Sequence, residues 1–215
     1  HHLPQPRTVL VENFAQLEAV DMPFPRLVKP LRCEGGHPSD YIKKDREAYL
    51  ASGQLPANFP LLVQEFIPGT DVDISILAHG GKLVAWTMQR WATPHTLQFF
   101  TSDELLDLGR RVAAATRYNG VAHFDLRLDE RDHSFKFIEC NPRFWNSLQA
   151  SRANGVNFVV LGILLAEGKE VPAENLSNNI AYVLPKWVMS ELKHGKISIL
   201  KDLPKGTKED LKQMI

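Results

Sequence analysis

The run Val121-Ala122-His123-Phe124-Asp125-Leu126-Arg127-Leu128 constrains this chain more than any other feature. Side chains on a strand alternate between faces, so Ala122, Phe124, Leu126 and Leu128 turn to a core while His123, Asp125 and Arg127 share the opposite face. A second run, Phe135-Lys136-Phe137-Ile138-Glu139-Cys140-Asn141, puts Glu139 and Asn141 on one side and Cys140 on the other, as inert core. A hairpin with its loop centred near Asp132 sets Asp125 opposite Glu139, at the roughly 5 Å spacing of cross-strand neighbours. Two like charges so placed repel. A divalent cation relieves that repulsion, and the oxygen donors of Asp125, Glu139 and Asn141 suit magnesium. The competing reading of the same face is a structural ion network in which Asp125 pairs with Arg127 or Arg143. Arg143, launched from Asn-Pro-Arg-Phe, offers a planar fork for phosphate or carboxylate.

The remaining pattern reads as α+β. Prolines 23, 25 and 30 bracket Arg26-Leu27-Val28-Lys29 as a short strand, and the glycine-rich polar residues 32–38 form a loop. Residues 45–50 are helix-like, and residues 61–67 form a strand stopped by Pro68-Gly69. Val72, Ile74, Ile76 and Ala78 alternate with Asp71, Asp73, Ser75 and Leu77, and alternation resumes after Gly80-Gly81, a pair that supplies the positive φ of a two-residue hairpin turn. Ser102 caps a helix with Leu105, Leu108, Val112 and Ala115 on one stripe, ended by Asn119-Gly120. Further helices are expected at 147–153, 158–167 and 208–214, with a strand at 180–184. There is no regular βαβ repeat, so the class is α+β, with a lobe boundary near residues 65–69.

Composition narrows the partners. With 44% hydrophobic residues the chain can bury a substantial core. Lysine plus arginine equal aspartate plus glutamate at 25 each, which leaves no overall basic field for nucleic acid or an anionic membrane. No apolar run approaches the roughly 20 residues that cross a bilayer. Cys33 and Cys140 form neither a Cys-x-x-Cys pair nor a zinc set, which fits a reducing cytoplasm. The opening His1-His2-Leu3-Pro4 reads as a tag remnant or, preferably, as the point where a longer polypeptide was cut.

Phe124-Asp125-Leu126-Arg127, followed by Phe137-Ile138-Glu139-Cys140-Asn141-Pro142-Arg143-Phe144, resembles the metal-binding signature of the ATP-grasp superfamily, especially its carboxylate–amine ligase-like members. The resemblance extends to Trp145, Ser147, Leu148 and Gly155-Val156-Asn157-Phe158. Upstream, Pro25-Arg26-Leu27-Val28-Lys29-Pro30 looks like the family's nucleotide lysine strand, and Val63-Gln64-Glu65-Phe66-Ile67-Pro68-Gly69 like its interlobe hinge. The segments stand in the family's order and cover most of the chain, from about residue 3 to 168.

The resemblance implies an ATP-grasp fold: two α+β lobes with nucleotide bound between antiparallel sheets. They would be an N-terminal lobe over 1–67 with a phosphate lid near 32–38, a C-terminal lobe over 68–187 with the magnesium hairpin, and an extension over 188–215. It implies that Lys29 contacts the α- or β-phosphate of ATP, that Gln64, Glu65, Phe66 and Ile67 clasp adenine, and that Asp71 takes the ribose hydroxyls. Leu27, Val63 and Ile138 would sandwich the base. Asp125, Glu139 and Asn141 would coordinate Mg2+, with Mn2+ as an alternative. His123 and Arg143 would face the transferred phosphoryl group, and Arg127 and Arg90 are candidates for holding the acceptor carboxylate. Three departures stand out: Gln64 replaces a commonly acidic residue, the lid lacks a longer glycine pattern, and His1 is expected to be a cut point that leaves out the family's preceding α/β domain with its phosphate-contacting lysine. The implied activity is an ATP- and Mg-dependent, cytoplasmic ligase that activates a small carboxylate as an acyl phosphate for attack by an amine or thiol, with a homodimer as one assembly. Two alternatives stay open. One is a non-catalytic ATP-binding module or a fragment inactive alone. The other is a metal-dependent nuclease, against which Asn141 in place of a lysine and the balanced charge both argue.

Overall fold

The computed structural model describes residues 3–31, 40–42, 59–171 and 180–214. The chain divides into two compact units, Pro4–Pro68 and Gly69–Ile215 with His1–Leu3. The smaller unit contains β1 (Thr8–Val11), α1 (Phe14–Ala19), β2 (Arg26–Pro30), β3 (Asp40–Ile42) and β4 (Leu61–Glu65), with the strands in the antiparallel order β1-β4-β2-β3. Asn13 caps α1 by accepting a hydrogen bond from the Gln16 amide. Register sets Val28 against Val63, and both join Val11, Leu17, Met22 and Leu61 in one core. Alternation then puts Leu27, Lys29 and Gln64 on the other face. Val63 therefore lies in the core of the smaller unit and not on the face that carries Lys29, unlike its expected place beside the base. The expected lid at 32–38 and helix at 45–50 lie outside the described residues.

The larger unit begins with β5 (Gly69–His79), β6 (Lys82–Thr93), β7 (Thr96–Phe100), α2 (Asp103–Thr116), β8 (Gly120–Asp129) and β9 (Phe135–Asn141). It continues with α3 (Leu148–Ala153), α4 (Phe158–Ala166), β10 (Ala181–Val183), α5 (Pro185–Lys193), a 3-10 turn at Ile197–Leu200 and α6 (Lys205–Met214). Its six-stranded sheet runs β10-β7-β6-β5-β8-β9, every pair antiparallel. On one face Val72, Ile74, Ile76, Met88, Phe124 and Leu126 pack against Leu105, Leu108, Val112 and Ala113 of α2. Each large side chain buried there stabilises the unit by about 1.5–3 kcal/mol.

Two details of α2 differ from the sequence expectation. Ala113 rather than Ala115 faces the sheet, because the stripe follows 105, 108, 109, 112 and 113. The helix ends at Arg117, which takes the left-handed conformation (φ 48), while Asn119 accepts a hydrogen bond from the Gly80 amide. Gly80 and Gly81, at φ 57 and 80, make the β5–β6 turn. The β8–β9 loop is tied by two aspartates: Asp129 accepts from the Arg131 amide and guanidinium, and Asp132 accepts from Ser134 and Lys136.

The C-terminal segment packs onto the same unit. The Thr207 hydroxyl bonds both the amide and the carbonyl of Val183, and Asp210 pairs with Arg152 and accepts from the Tyr182 hydroxyl. Among the described residues no helix is long and apolar enough to cross a membrane.

Gly69 opens β5 at φ 138, and a Cβ there would lie 1.9 Å from the Leu128 carbonyl oxygen on β8. Gly69→Ala is expected to lower stability by at least the roughly 1–3 kcal/mol of a strained backbone conformation. Gly80→Ala has open space around its Cβ and is expected to cost less; urea unfolding midpoints of the two variants check the order.

Candidate functional site

The face of the larger sheet opposite α2 carries two polar rows. Register aligns Gln89 on β6 with Asp73 on β5, Asp73 with Asp125 on β8, and Asp125 with Glu139 on β9. The neighbouring row is Thr87, Ser75, His123 and Asn141. A bulge in β9 makes this possible. Phe135 and Phe137 oppose Leu128 and Leu126 on the apolar side, and the register then shifts by one residue at Ile138, so that Glu139 opposes Asp125 on the polar side. Without Ile138 as the extra residue, Glu139 would share the face of the two phenylalanines.

Hydrogen bonds tie the rows together. The Ser75 hydroxyl lies 2.8 Å from His123 Nδ1, and His123 Nε2 lies 3.2 Å from Asp125 Oδ1 and 3.9 Å from Asp73 Oδ2. A carboxylate at Asp125 accepts, so His123 Nε2 is the donor in that contact, while the Ser75 hydroxyl partners Nδ1. Asn141 Nδ2 donates to Asp125 Oδ2 at 3.0 Å, and Arg143 donates to Asn141 Oδ1 at 3.1 Å. Gln89 Nε2 donates to Asp73 Oδ2 at 3.1 Å and to Ser147 Oγ at 2.8 Å. Trp145 stacks on the His123 ring at 5.3 Å and meets Phe158 edge-on, which fixes the imidazole from above.

These rows floor a cavity of about 910 Å³ within the larger unit, lined by Asp73, His123, Asp125, Asn141, Arg143 and Trp145 among others. Glu139 stands opposite Asp125 but is solvent-exposed. Arg127 is directed elsewhere: it bonds Asp71 Oδ1 and the Gly69 carbonyl, each at 2.6 Å, so two expected site residues are paired with each other. Ile138 is the half-buried bulge residue. Cys140, expected in the core, is exposed, because it sits on edge strand β9 near the end of the sheet. In the smaller unit Lys29 Nζ donates to Gln64 Oε1 at 2.8 Å, Gln64 Nε2 donates to the Thr8 hydroxyl, and the Glu65 amide bonds the Arg7 carbonyl. Ile67 is buried, while Glu65 and Phe66 are half-buried.

Asp73 was not among the sequence candidates, although its alternation with Val72 and Ile74 placed it on the polar face. Burial pushes its carboxyl up to about 6 from 3.8, against the opposing pull of His123 and the Gln89 hydrogen bond. Between those pH values the folded chain binds the proton that the unfolded chain has released. Stability is therefore undiminished below about pH 4 and falls as pH rises through 6. A displacement of that size corresponds to about 3 kcal/mol. Asp73→Asn is expected to exceed the parent in stability by up to about 3 kcal/mol at pH 8 and to lose that advantage at pH 4, read from denaturant midpoints at both pH values.

The larger unit carries an acidic hairpin on an antiparallel sheet, and the smaller unit carries Lys29 on a strand of its own antiparallel sheet. Residues 58–185 match the family described as ATP-grasp in the biosynthetic pathway with Ter operon, and the chain belongs to that family. Solved structures agree in fold. An ADP complex of PurK, N5-carboxyaminoimidazole ribonucleotide synthetase, superposes with a TM-score of 0.68 at 17% identity, covering 89% of this chain and 55% of that one. L-amino acid ligase from Bacillus licheniformis gives 0.57 at 19% identity, covering 83% and 47%. The ATP-grasp ligase PsnB, complexed with precursor peptide PsnA2 and AMPPNP, gives 0.56 at 21% identity, covering 78% and 54%. The chain thus spans about half the length of these structures. No curated protein matches it.

Proposed function

We propose that the chain is the nucleotide- and magnesium-binding part of a ligase that activates a carboxylate with ATP and passes the acyl group to an amine. The observation that carries this reading is the direct opposition of Asp125 and Glu139, with Asn141 hydrogen-bonded to Asp125. Two carboxylates at cross-strand distance repel unless a cation lies between them. The donor set fits Mg2+, a hard cation that takes carboxylate and amide oxygens and shares phosphate oxygens. Asp125, Glu139 and Asn141 Oδ1 would hold it, and when bound it would neutralise charge on the phosphate oxygens.

In the proposed reaction a carboxylate oxygen attacks the γ-phosphorus and ADP departs, leaving an acyl phosphate. The amine nitrogen then attacks the acyl carbon, phosphate leaves, and the nitrogen gives up one proton. The protein supplies alignment and charge rather than a nucleophile. Arg143, with its fork already turned toward Asn141, is assigned to the transferred phosphoryl group. His123, held by Ser75, Asp125 and the Trp145 ring, is assigned as a hydrogen-bond donor beside it. Lys29 is assigned to the α- or β-phosphate, and Gln64, Glu65, Phe66 and Ile67 to adenine. Asp71 is assigned to the ribose, which requires it to release Arg127.

Isothermal titration with Mg-ATP is expected to show at least a tenfold loss of affinity in Glu139→Ala and in Asn141→Ala. Parental affinity in both variants contradicts the assignment. A screen of carboxylates is expected to find at least one that raises ADP release in the presence of an amine.

A further inference from the structure

A chain of hydrogen bonds crosses one face of the smaller sheet from β1 through β4 to β2. The Thr8 hydroxyl donates to the Pro6 carbonyl at 3.0 Å, Gln64 Nε2 donates to the Thr8 oxygen at 3.2 Å, and Lys29 Nζ donates to Gln64 Oε1 at 2.8 Å. Register puts the three side chains on one face: Gln64 stands opposite Thr8 on β1 and Leu27 on β2, and Lys29 lies two residues beyond Leu27. Gln64 is 7% exposed, and Lys29 is half-buried.

The two ends of this chain fix its middle. A carbonyl only accepts and an ammonium only donates. Thr8 gives its one proton to Pro6, so toward Gln64 it must accept. Gln64 therefore turns its nitrogen to Thr8 and its oxygen to Lys29. A carboxylate in its place would meet the Thr8 oxygen with a second acceptor and would break the Thr8–Pro6 bond or repel it. It would also set a negative charge against the lysine. The site is thus built for a neutral side chain that donates at one end and accepts at the other. The amide oxygen has two lone pairs and Lys29 takes one, so this role stands beside the assignment of Gln64 to adenine.

We infer that Gln64 is a positioning residue for Lys29: it holds the ammonium on this face without offsetting its charge, and so sets a preference for a diphosphate-bearing ligand over an uncharged nucleoside. The claim rests on the ligase reading in one respect, that the anion Lys29 meets is the phosphate chain of a nucleotide. A lysine already held by an acceptor has less side-chain freedom to lose when the anion arrives. A neutral acceptor leaves the attraction to that anion undiminished.

The test is calorimetric titration of the full chain with ADP, adenosine and inorganic pyrophosphate, each in magnesium buffer. The parent is expected to bind ADP at least tenfold more tightly than adenosine. Gln64→Glu is expected to weaken ADP and pyrophosphate tenfold or more, while adenosine binds at least as well as to the parent, since a carboxylate accepts from a base amino group as readily as an amide does. Gln64→Met removes the acceptor and adds no charge; it is expected to weaken ADP about threefold, and that loss is expected to vanish in a Lys29→Met background, where no ammonium remains to be held. Parental ADP affinity in Gln64→Glu overturns the inference and leaves the ligase reading standing. An equal loss of ADP and adenosine does the same, because it makes Gln64 a base contact or a packing residue alone. Pyrophosphate binding that falls in Gln64→Glu, with ADP bound no more tightly than pyrophosphate, upholds the positioning role and removes the nucleotide reading. A parent that binds neither ADP nor pyrophosphate overturns both.

Discussion

The antiparallel register across β6, β5, β8 and β9 is the constraint on which the rest depends. It is set by the apolar face, where Ile74, Met88, Phe124 and Leu126 must meet α2 together. A slip of one residue in any of these strands would turn its apolar set away from the helix and lose several buried side chains at once. The polar face follows from that choice: Gln89, Asp73, Asp125 and Glu139 fall into one row because their neighbours are held in the core. The hydrophobic packing thus positions the chemistry without taking part in it.

That arrangement carries a cost at the site. Three carboxylates share a row across adjacent strands, and one of them is buried enough to resist ionisation. Local departures from good electrostatics are expected where a ligand completes the structure. The ring stack of Trp145 on His123 and the clasp of α3 through Thr87 and Ser151 hold the surroundings rigid, so the repulsion is not relieved by simple spreading of side chains.

Much of this was legible in the sequence, for identifiable reasons. The β5–β6 hairpin was marked by Gly80-Gly81, the α2 cap by Ser102, and the opposition of Asp125 to Glu139 by period-two alternation about a short loop. The bulge at Ile138 was harder to read, yet Phe135, Phe137, Glu139 and Asn141 all occupy odd positions, and a regular strand cannot send the first two to the core and the last two to solvent. Asp73 carried the same alternation signal as Asp71 but takes its significance from burial among Gln89 and His123, which come from later strands. The pairing of Lys29 with Gln64, and of Arg127 with Asp71, joins residues too far apart in sequence for any local pattern to show. In the C-terminal segment, Pro185 at the first turn of α5 was a usable start signal. The contacts of Thr207 and Asp210 were not, since they rely on partners at Val183, Tyr182 and Arg152.

The most direct measurement is paramagnetic broadening of backbone amide resonances by Mn2+, titrated in the presence of ATP. The account predicts that the amides of residues 123–125 and 139–141 lose intensity first, at substoichiometric metal, and that omitting ATP weakens the effect. Broadening centred elsewhere in the chain, or none at these six positions, would contradict it.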